Sequence, residues 1–243
     1  MANQRAYALS IFAGMTLIAP HYQKAKKQSA FPFFRKDRFL VKTPWWVKKL
    51  YPDCIWDLPV KEKILYLSFD DGPHPAITPF VLDELKRYNA KATFFCIGEN
   101  VMKYPEMYRR YIDEGHSVGN HTHFHINGWK TKDTEYLADI EQAGRYIQSN
   151  LFRPPYGRIK RSQIKLLRET NPGQKIVMWN ILAGDWIPDL QPKRCYNRIK
   201  DRIDNGHIIV LHESDKAWER MSYCLPRLLE DFSAFGYRFL PIS

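Results

Sequence analysis

Two adjacent carboxylates, Asp70 and Asp71, stand in the run SFDDGPHP at residues 68–75. A divalent cation held by one of them would largely neutralise it. Its neighbour could then ionise at modest cost and take a proton from an activated water. The same Asp-Gly-Pro sequence also suits a plain turn whose aspartates cap it. A second run, GHSVGNHTHFH at residues 115–125, places four of the chain's eight histidines within ten residues. His121 and His125 can meet on one metal if the backbone between them makes about one turn, while His116 and His123 fit structural roles nearby. Two histidines and one aspartate satisfy zinc's demand for N and O donors with a position left open for water.

Three later runs supply further chemistry. In FRPPYG, residues 152–157, consecutive prolines stiffen the loop and can hold Arg153 where it pairs with a carboxylate. Gly157 permits close backbone approach, and the amide of Tyr156 could donate to a developing oxyanion. MWNILAGDW (178–186) and HIIVLHES (207–214) contribute Asp185, Trp186 and His212. A histidine directly after an apolar strand suits a general acid, since its ordinary pKa of about 6.5 lets it carry a proton at working pH. Each run also has a bland reading: a solvated arginine on a rigid turn, or a satisfied core histidine.

The elements that must position these residues alternate along the chain. Strands are expected at 64–69, 92–97, 175–179, 207–211 and 237–240. Helices are expected at 77–89, 105–114, 131–148, 163–170, 193–204 and about 219–235. Repeated strand–helix units with short connections predict an α/β fold, a parallel sheet of about seven strands closing as a distorted barrel in a single domain. In such barrels the chemistry sits on loops leaving the C-terminal strand ends, where most of these candidates fall.

Composition bounds the remaining choices. With 243 residues, 44% hydrophobic and 14% aromatic, the chain can build one sizeable core, and no repeat is visible. The net charge of +11 is uneven: residues 1–63 hold 12 Lys/Arg against 4 Asp/Glu, and the remainder 25 against 22. Residues 1–38 read as a basic extension and 39–60 as a lead-in whose Trp45, Trp46, Val47 and Leu50 pack against the body. Residues 61–243 form the main domain. The apolar stretch 7–19 falls short of the ~20 residues of a membrane helix and fits a signal core, a short anchor or neither. The basic extension suits an anionic membrane or cell-envelope surface, or a solvated tail. A near-neutral body without a basic, aromatic-interleaved groove argues against nucleic acid. Cys54, Cys96, Cys195 and Cys224 are too widely spaced to fix a redox compartment, and Cys96, in an apolar run, reads as a small hydrophobe. Nothing here sets an oligomeric state.

Read in order, SFDDGP, NHTHFH, FRPPYG, GDW and IVLH resemble the five signature motifs of the polysaccharide deacetylases, the carbohydrate esterase family 4 or NodB-homology group. The resemblance runs from about Lys61 to the C-terminus. It implies a distorted (β/α) barrel and a divalent metal bound by Asp71, His121 and His125, usually zinc, with cobalt, nickel or manganese as alternatives. It further implies Asp70 as general base toward a metal-activated water, His212 as general acid for the leaving amine, and Arg153 as the residue orienting Asp70. The amide of Tyr156 would be an oxyanion donor. Two positions depart from the pattern. Leu182 stands where many relatives carry an aspartate that tunes the acidic histidine, a task that could pass to Asp185. Glu213 follows His212 where an aspartate is usual.

The expected activity is hydrolysis of N-acetyl groups on N-acetylglucosamine units of peptidoglycan, a chitin-like oligomer or an envelope polysaccharide. Trp129, Tyr156, Trp179 and Trp186 could offer flat faces to sugar rings, with about half of them expected in the core instead. Two alternatives are a hydrolase of another acyl or small non-sugar amide and an inactive glycan-binding module. The intact set Asp70, Asp71, His121, His125 and His212 argues against the second. An envelope substrate places the protein at the cell envelope, exported or anchored, ahead of the cytoplasm.

Overall fold

The structure is a computed structural model and describes residues 40–243; the extension and its apolar stretch 7–19 lie outside the described residues. Chain order begins with α1 (Trp45–Leu50), β1 (Cys54–Ile55), β2 (Ile64–Asp70), α2 (Ile77–Arg87), β3 (Ala92–Cys96), α3 (Gly98–Lys103) and α4 (Pro105–Asp113). It continues with β4 (Ser117–Asn120), α5 (Asp133–Gly144), β5 (Leu151–Phe152), α6 (Arg161–Thr170), β6 (Lys175–Val177) and β7 (Ile181–Leu182). α7 (Pro192–Lys200), β8 (Ile208–His212), α8 (Trp218–Ala234) and β9 (Arg238–Phe239) complete it. Short 3-10 turns at Gly128–Lys130 and Pro155–Gly157 fall within site loops.

The strands form one curled sheet in the order β1-β6-β5-β4-β3-β2-β8-β7, with β9 pairing β2, and every strand pair is parallel. The expected parallel α/β fold is therefore present, but the curl does not close by a strand pair between β1 and β7. Isolated antiparallel bridges from the lead-in cover this gap, Lys42 to Ile181 and Asp57 to His207. They occupy backbone groups that an edge would otherwise expose.

β2 and β3 are buried along their whole length, as parallel strands covered on both faces are, and their few polar side chains, Ser68, Asp70 and Thr93, are buried with them. Between them and the helices lies the main core, in which Phe69 stacks on Phe94 (ring centroids 5.2 Å) and Phe94 on Tyr111 (3.9 Å). Cys96 is a buried free thiol, as are Cys54, Cys195 and Cys224.

The main departures from expectation are local. β4, β5, β7 and α3 are absent from the sequence reading because elements of two to six residues carry too little period to register. In the lead-in, Val47 and Tyr51 pack against the cluster of Tyr136, Phe152 and Ile164, whereas Trp45, Trp46 and Leu50 face solvent rather than the body.

Candidate active site

The C-terminal ends of β2, β4, β5 and β8, with the loop after β7, bring the sequence candidates together. Asp70 ends β2 and is registered opposite His212 at the end of β8. Asp71 follows with φ 76°, a left-handed conformation that turns the chain sharply out of the strand. The turn has no room for a side chain at Gly72, where a Cβ would overlap Glu213 Oε2. Asn100 Nδ2 donates to Asp71 O at 2.7 Å, and Ile97 N–H to Gly72 O at 3.0 Å, pinning the turn to the loop beyond β3.

His121 and His125 leave β4 without a helical turn. Thr122 (φ 64°) and His125 (φ 53°) are both left-handed, so the one-turn geometry read from the spacing is replaced by a tight loop. That loop still sets the two rings 5.1 Å apart. It is held by Asp139 of α5, whose Oδ2 accepts from His123 N–H (2.7 Å) and Phe124 N–H (3.2 Å). His116 and His123 prove structural: His116 Nδ1 accepts the Ala92 amide at 3.1 Å, and His123 is buried against Tyr146.

Asp71, His121 and His125 present donor atoms that all lie within 4.8 Å of one another. His125 Nε2 is 3.3 Å and His121 Nε2 3.9 Å from Asp71 Oδ1. His121 Nδ1 is 2.7 Å from the carbonyl of Arg153, which makes it the protonated nitrogen and leaves the Nε2 lone pair toward Asp71. Burial, the first cause for both rings, holds His121 well below and His125 below the ordinary histidine value. Neutral imidazoles beside a carboxylate, with one tautomer fixed from behind, are the donor set a divalent ion such as zinc requires.

Beside this cluster lies Asp70, with Oδ2 4.0 Å from His121 Nε2. Arg153 is fully buried and commits its guanidinium to Asp70 Oδ1 (2.7 Å), Ser68 Oγ (2.8 Å), Met178 O (2.9 Å) and Val177 O (3.2 Å). Its plane also lies 3.9 Å from the Phe95 ring centroid. A planar fork donating from all three of its nitrogens is a rigid clamp on one carboxylate oxygen.

Asp185, fully buried, accepts from His212 twice: Oδ2 from the amide (2.7 Å) and Oδ1 from Nδ1 (2.8 Å). Burial disfavours the imidazolium, but Asp185, with Asp71 and Asp70 farther off, outweighs it and holds His212 at about 9. Leu182 is an ordinary β7 residue registered with Val210, so the carboxylate facing His212 comes from Asp185 instead. Trp186 packs edge-on against His212 (4.9 Å), and Tyr156, left-handed at φ 60°, lies 4.6 Å from the His125 ring. Three of the five non-glycine residues with positive φ among the described residues, Asp71, His125 and Tyr156, are thus site candidates, a concentration of strain common at functional sites. Of the four aromatics, Trp129 and Tyr156 are exposed, while Trp179 packs into the core.

Glu213 belongs to a buried chain that sequence reading passed over. His74 N–H donates to Thr78 Oγ1 (2.9 Å), Thr78 Oγ1 lies 3.0 Å from Tyr111 Oη, and Tyr111 Oη donates to Glu213 Oε2 (2.5 Å). Burial raises Glu213 to about 7 against the pull of Tyr111 and Thr78, with the charge of Asp71 adding to the rise. Asp139, Asn100 and Tyr111 likewise carry no sequence signal, being single polar residues in unremarkable helices.

The polysaccharide deacetylase family model matches residues 57–172. A peptidoglycan-N-acetylglucosamine deacetylase of Bacillus cereus is 32% identical over 194 residues, covering 77% of this chain and 90% of the relative. This chain belongs to the polysaccharide deacetylase family. It is accordingly a hydrolase acting on the carbon–nitrogen bond of acetamides. The peptidoglycan-N-acetylmuramic acid deacetylase of Bacillus subtilis is 31% identical over 191 residues, 75% of this chain and 38% of that longer protein. Among solved structures, a peptidoglycan N-acetylglucosamine deacetylase in complex with 4-naphthalen-1-yl-N-oxidanyl-benzamide superposes with TM-score 0.73 at 32% identity. The match covers 82% of this chain and 95% of that one.

Proposed function

We propose that this deacetylase removes acetyl groups from N-acetylated amino sugars of peptidoglycan, N-acetylglucosamine before N-acetylmuramic acid, with a divalent metal held by Asp71, His121 and His125. The observation that carries the reading is the convergence of that donor triad with Asp70 on one side and an Asp185-paired histidine in the same site. A bound cation of the zinc type would polarise the acetamide carbonyl and lower the pKa of water in the site.

The chain's own residues supply the rest. Asp70, fixed by Arg153, accepts a proton from the attacking water. His212, protonated at neutral pH, gives its proton to the departing sugar amine, which cannot leave as an amide anion. Its Nδ1 is occupied by Asp185, so Nε2 is the nitrogen that delivers this proton. The Tyr156 amide is assigned to the oxyanion and the exposed faces of Trp129 and Tyr156 to sugar rings. The N-oxidanyl amide group bound by the solved relative is a metal-chelating group by its chemistry, and the same compound is expected to inhibit here. A peptidoglycan substrate puts the working protein at the cell envelope.

Metal content and acetate release from N-acetylglucosamine oligomers and from peptidoglycan test this together. Asp70→Asn should retain metal and lose activity by a factor of about 10²–10⁴, whereas His121→Ala should lose both. A metal-loaded wild type that releases acetate from neither glycan would move the substrate to another acyl compound.

A further inference from the structure

At 100° per residue the six residues of α1 divide cleanly between two faces. Trp45, Lys49, Trp46 and Leu50 fall, in that angular order, on one arc; Val47 and Lys48 fall on the other. The second arc is tied to the body, Val47 against the core around Phe152 and Lys48 in an ion pair with Asp57. The first arc is open: Trp45 is 68%, Trp46 50% and Leu50 48% exposed. Lys49 Nζ lies 4.8 Å over the Trp45 ring, in the middle of the apolar face. Arg161 NH2 donates to Leu50 O at 3.2 Å, fixing the helix end. A groove of about 320 Å³ beside it is lined by Lys49, Leu50, Tyr51, Asp53, Arg161 and Ile164. Its one acid, Asp53, is already paired with Arg168 at 2.6 Å.

We infer that this face of α1 seats the protein on the surface of an anionic phospholipid bilayer, with the two indoles and Leu50 at headgroup depth and Lys49 and Arg161 meeting lipid phosphates. Three observations select a bilayer over other occupants. Lysine interleaved with tryptophan on one helix face is the pattern of interfacial helices, whereas the cores of protein–protein interfaces are depleted of lysine. Tryptophan, apolar in its ring and polar at its N–H, concentrates at the membrane–water boundary. The charge is complementary: residues 35–49 contain six Lys/Arg against the single acid Asp37. No residue of this face or of the groove beside it is one of the catalytic or metal-binding candidates.

The test is partition of the full chain onto vesicles of phosphatidylcholine alone and of phosphatidylcholine with phosphatidylglycerol. The wild type is compared with Trp45→Ser/Trp46→Ser/Leu50→Ser and with Lys49→Glu. On the anionic vesicles the triple variant should bind at least ~10-fold more weakly and Lys49→Glu about fivefold or more. Acetate release from soluble oligomers should be unchanged in both, which separates this proposal from the reading of the active site. Lipids brominated near the headgroup should quench wild-type tryptophan fluorescence more than that of Trp45→Phe/Trp46→Phe after allowance for the lost emission. Equal partition of wild type and triple variant would overturn the proposal. So would weakened binding of the variants to isolated cell-wall sacculi with vesicle binding intact, which would assign the face to a wall polymer. Protection of Trp45 and Trp46 from a water-soluble quencher without vesicles would assign it to another part of this chain.

Discussion

The roles proposed for Asp70 and His212 rest on what each carboxylate or ring touches. His212 owes its elevated value near 9 to Asp185, since burial alone would push it down. Asp185→Asn removes the charge and leaves the burial. The alkaline limb of the kcat/KM profile should therefore move down by at least ~1 pH unit, with activity at pH 8 reduced. An unchanged alkaline limb would show that another group sets it. Arg153 is a second residue whose geometry matters more than its charge. Lysine at this position cannot reach Asp70, Ser68 and two carbonyls at once. Arg153→Lys should lower kcat by about 10²-fold with KM and metal content near wild type, since the loss falls on the proposed positioning of Asp70. Loss of metal alone, with kcat intact on the loaded fraction, would contradict that role.

At the scale of elements, the site depends on turns at strand ends that leave no space for added side-chain atoms. Gly72 is the clearest case, sandwiched between the ligand candidate Asp71 and the Glu213–Tyr111 pair. Gly72→Ala forces Glu213 or the turn to move. The overpacking should cost about 1–3 kcal/mol in chemical unfolding and weaken divalent-metal binding measured by competition with a chelator. Wild-type metal affinity in a destabilised variant would show that the turn shifts without carrying Asp71 with it. Asp139 plays the corresponding part for the histidine loop, reaching from α5 to two successive amides. Strand-ending loops braced by a neighbouring helix are how this fold turns short, irregular segments into a fixed site.

For the molecule as a whole, two buried histidines outside the site link stability to pH. His116 and His207 are each held down to about 4, by burial first and then by a neighbouring lysine. In each, Nδ1 accepts a backbone amide, from Ala92 and Asp204 respectively, a bond the protonated ring cannot make. The unfolded chain takes up these protons near pH 6.5 while the folded chain refuses them until about 4. The unfolded state binds more protons across that window, so stability is full above about 6.5 and falls as the pH is lowered. The loss should be on the order of 2 kcal/mol for each ring. Thermal melts from pH 7 to 4.5 should show it, and His207→Asn should flatten the slope; an equal slope in the variant would place the titration elsewhere.

The amino-acid order by itself determined the reactive inventory and the βα alternation. Asp70, Asp71, His121, His125, Arg153 and His212 sit in contiguous motifs, and the long strands β2, β3 and β8 announce themselves as predominantly apolar runs. Such information is local, carried by side-chain type and short-range period. Only the tertiary structure decided that Asp185 serves His212, that Asp139 and Asn100 brace the loops, and that Glu213 closes a buried chain from His74. It alone left Trp45 and Trp46 in solvent. These facts depend on partners distant in sequence: Arg153 meets Asp70 across 83 residues, and Tyr111 meets Glu213 across 102. Burial and protonation are properties of a folded neighbourhood, and no window along the chain contains one.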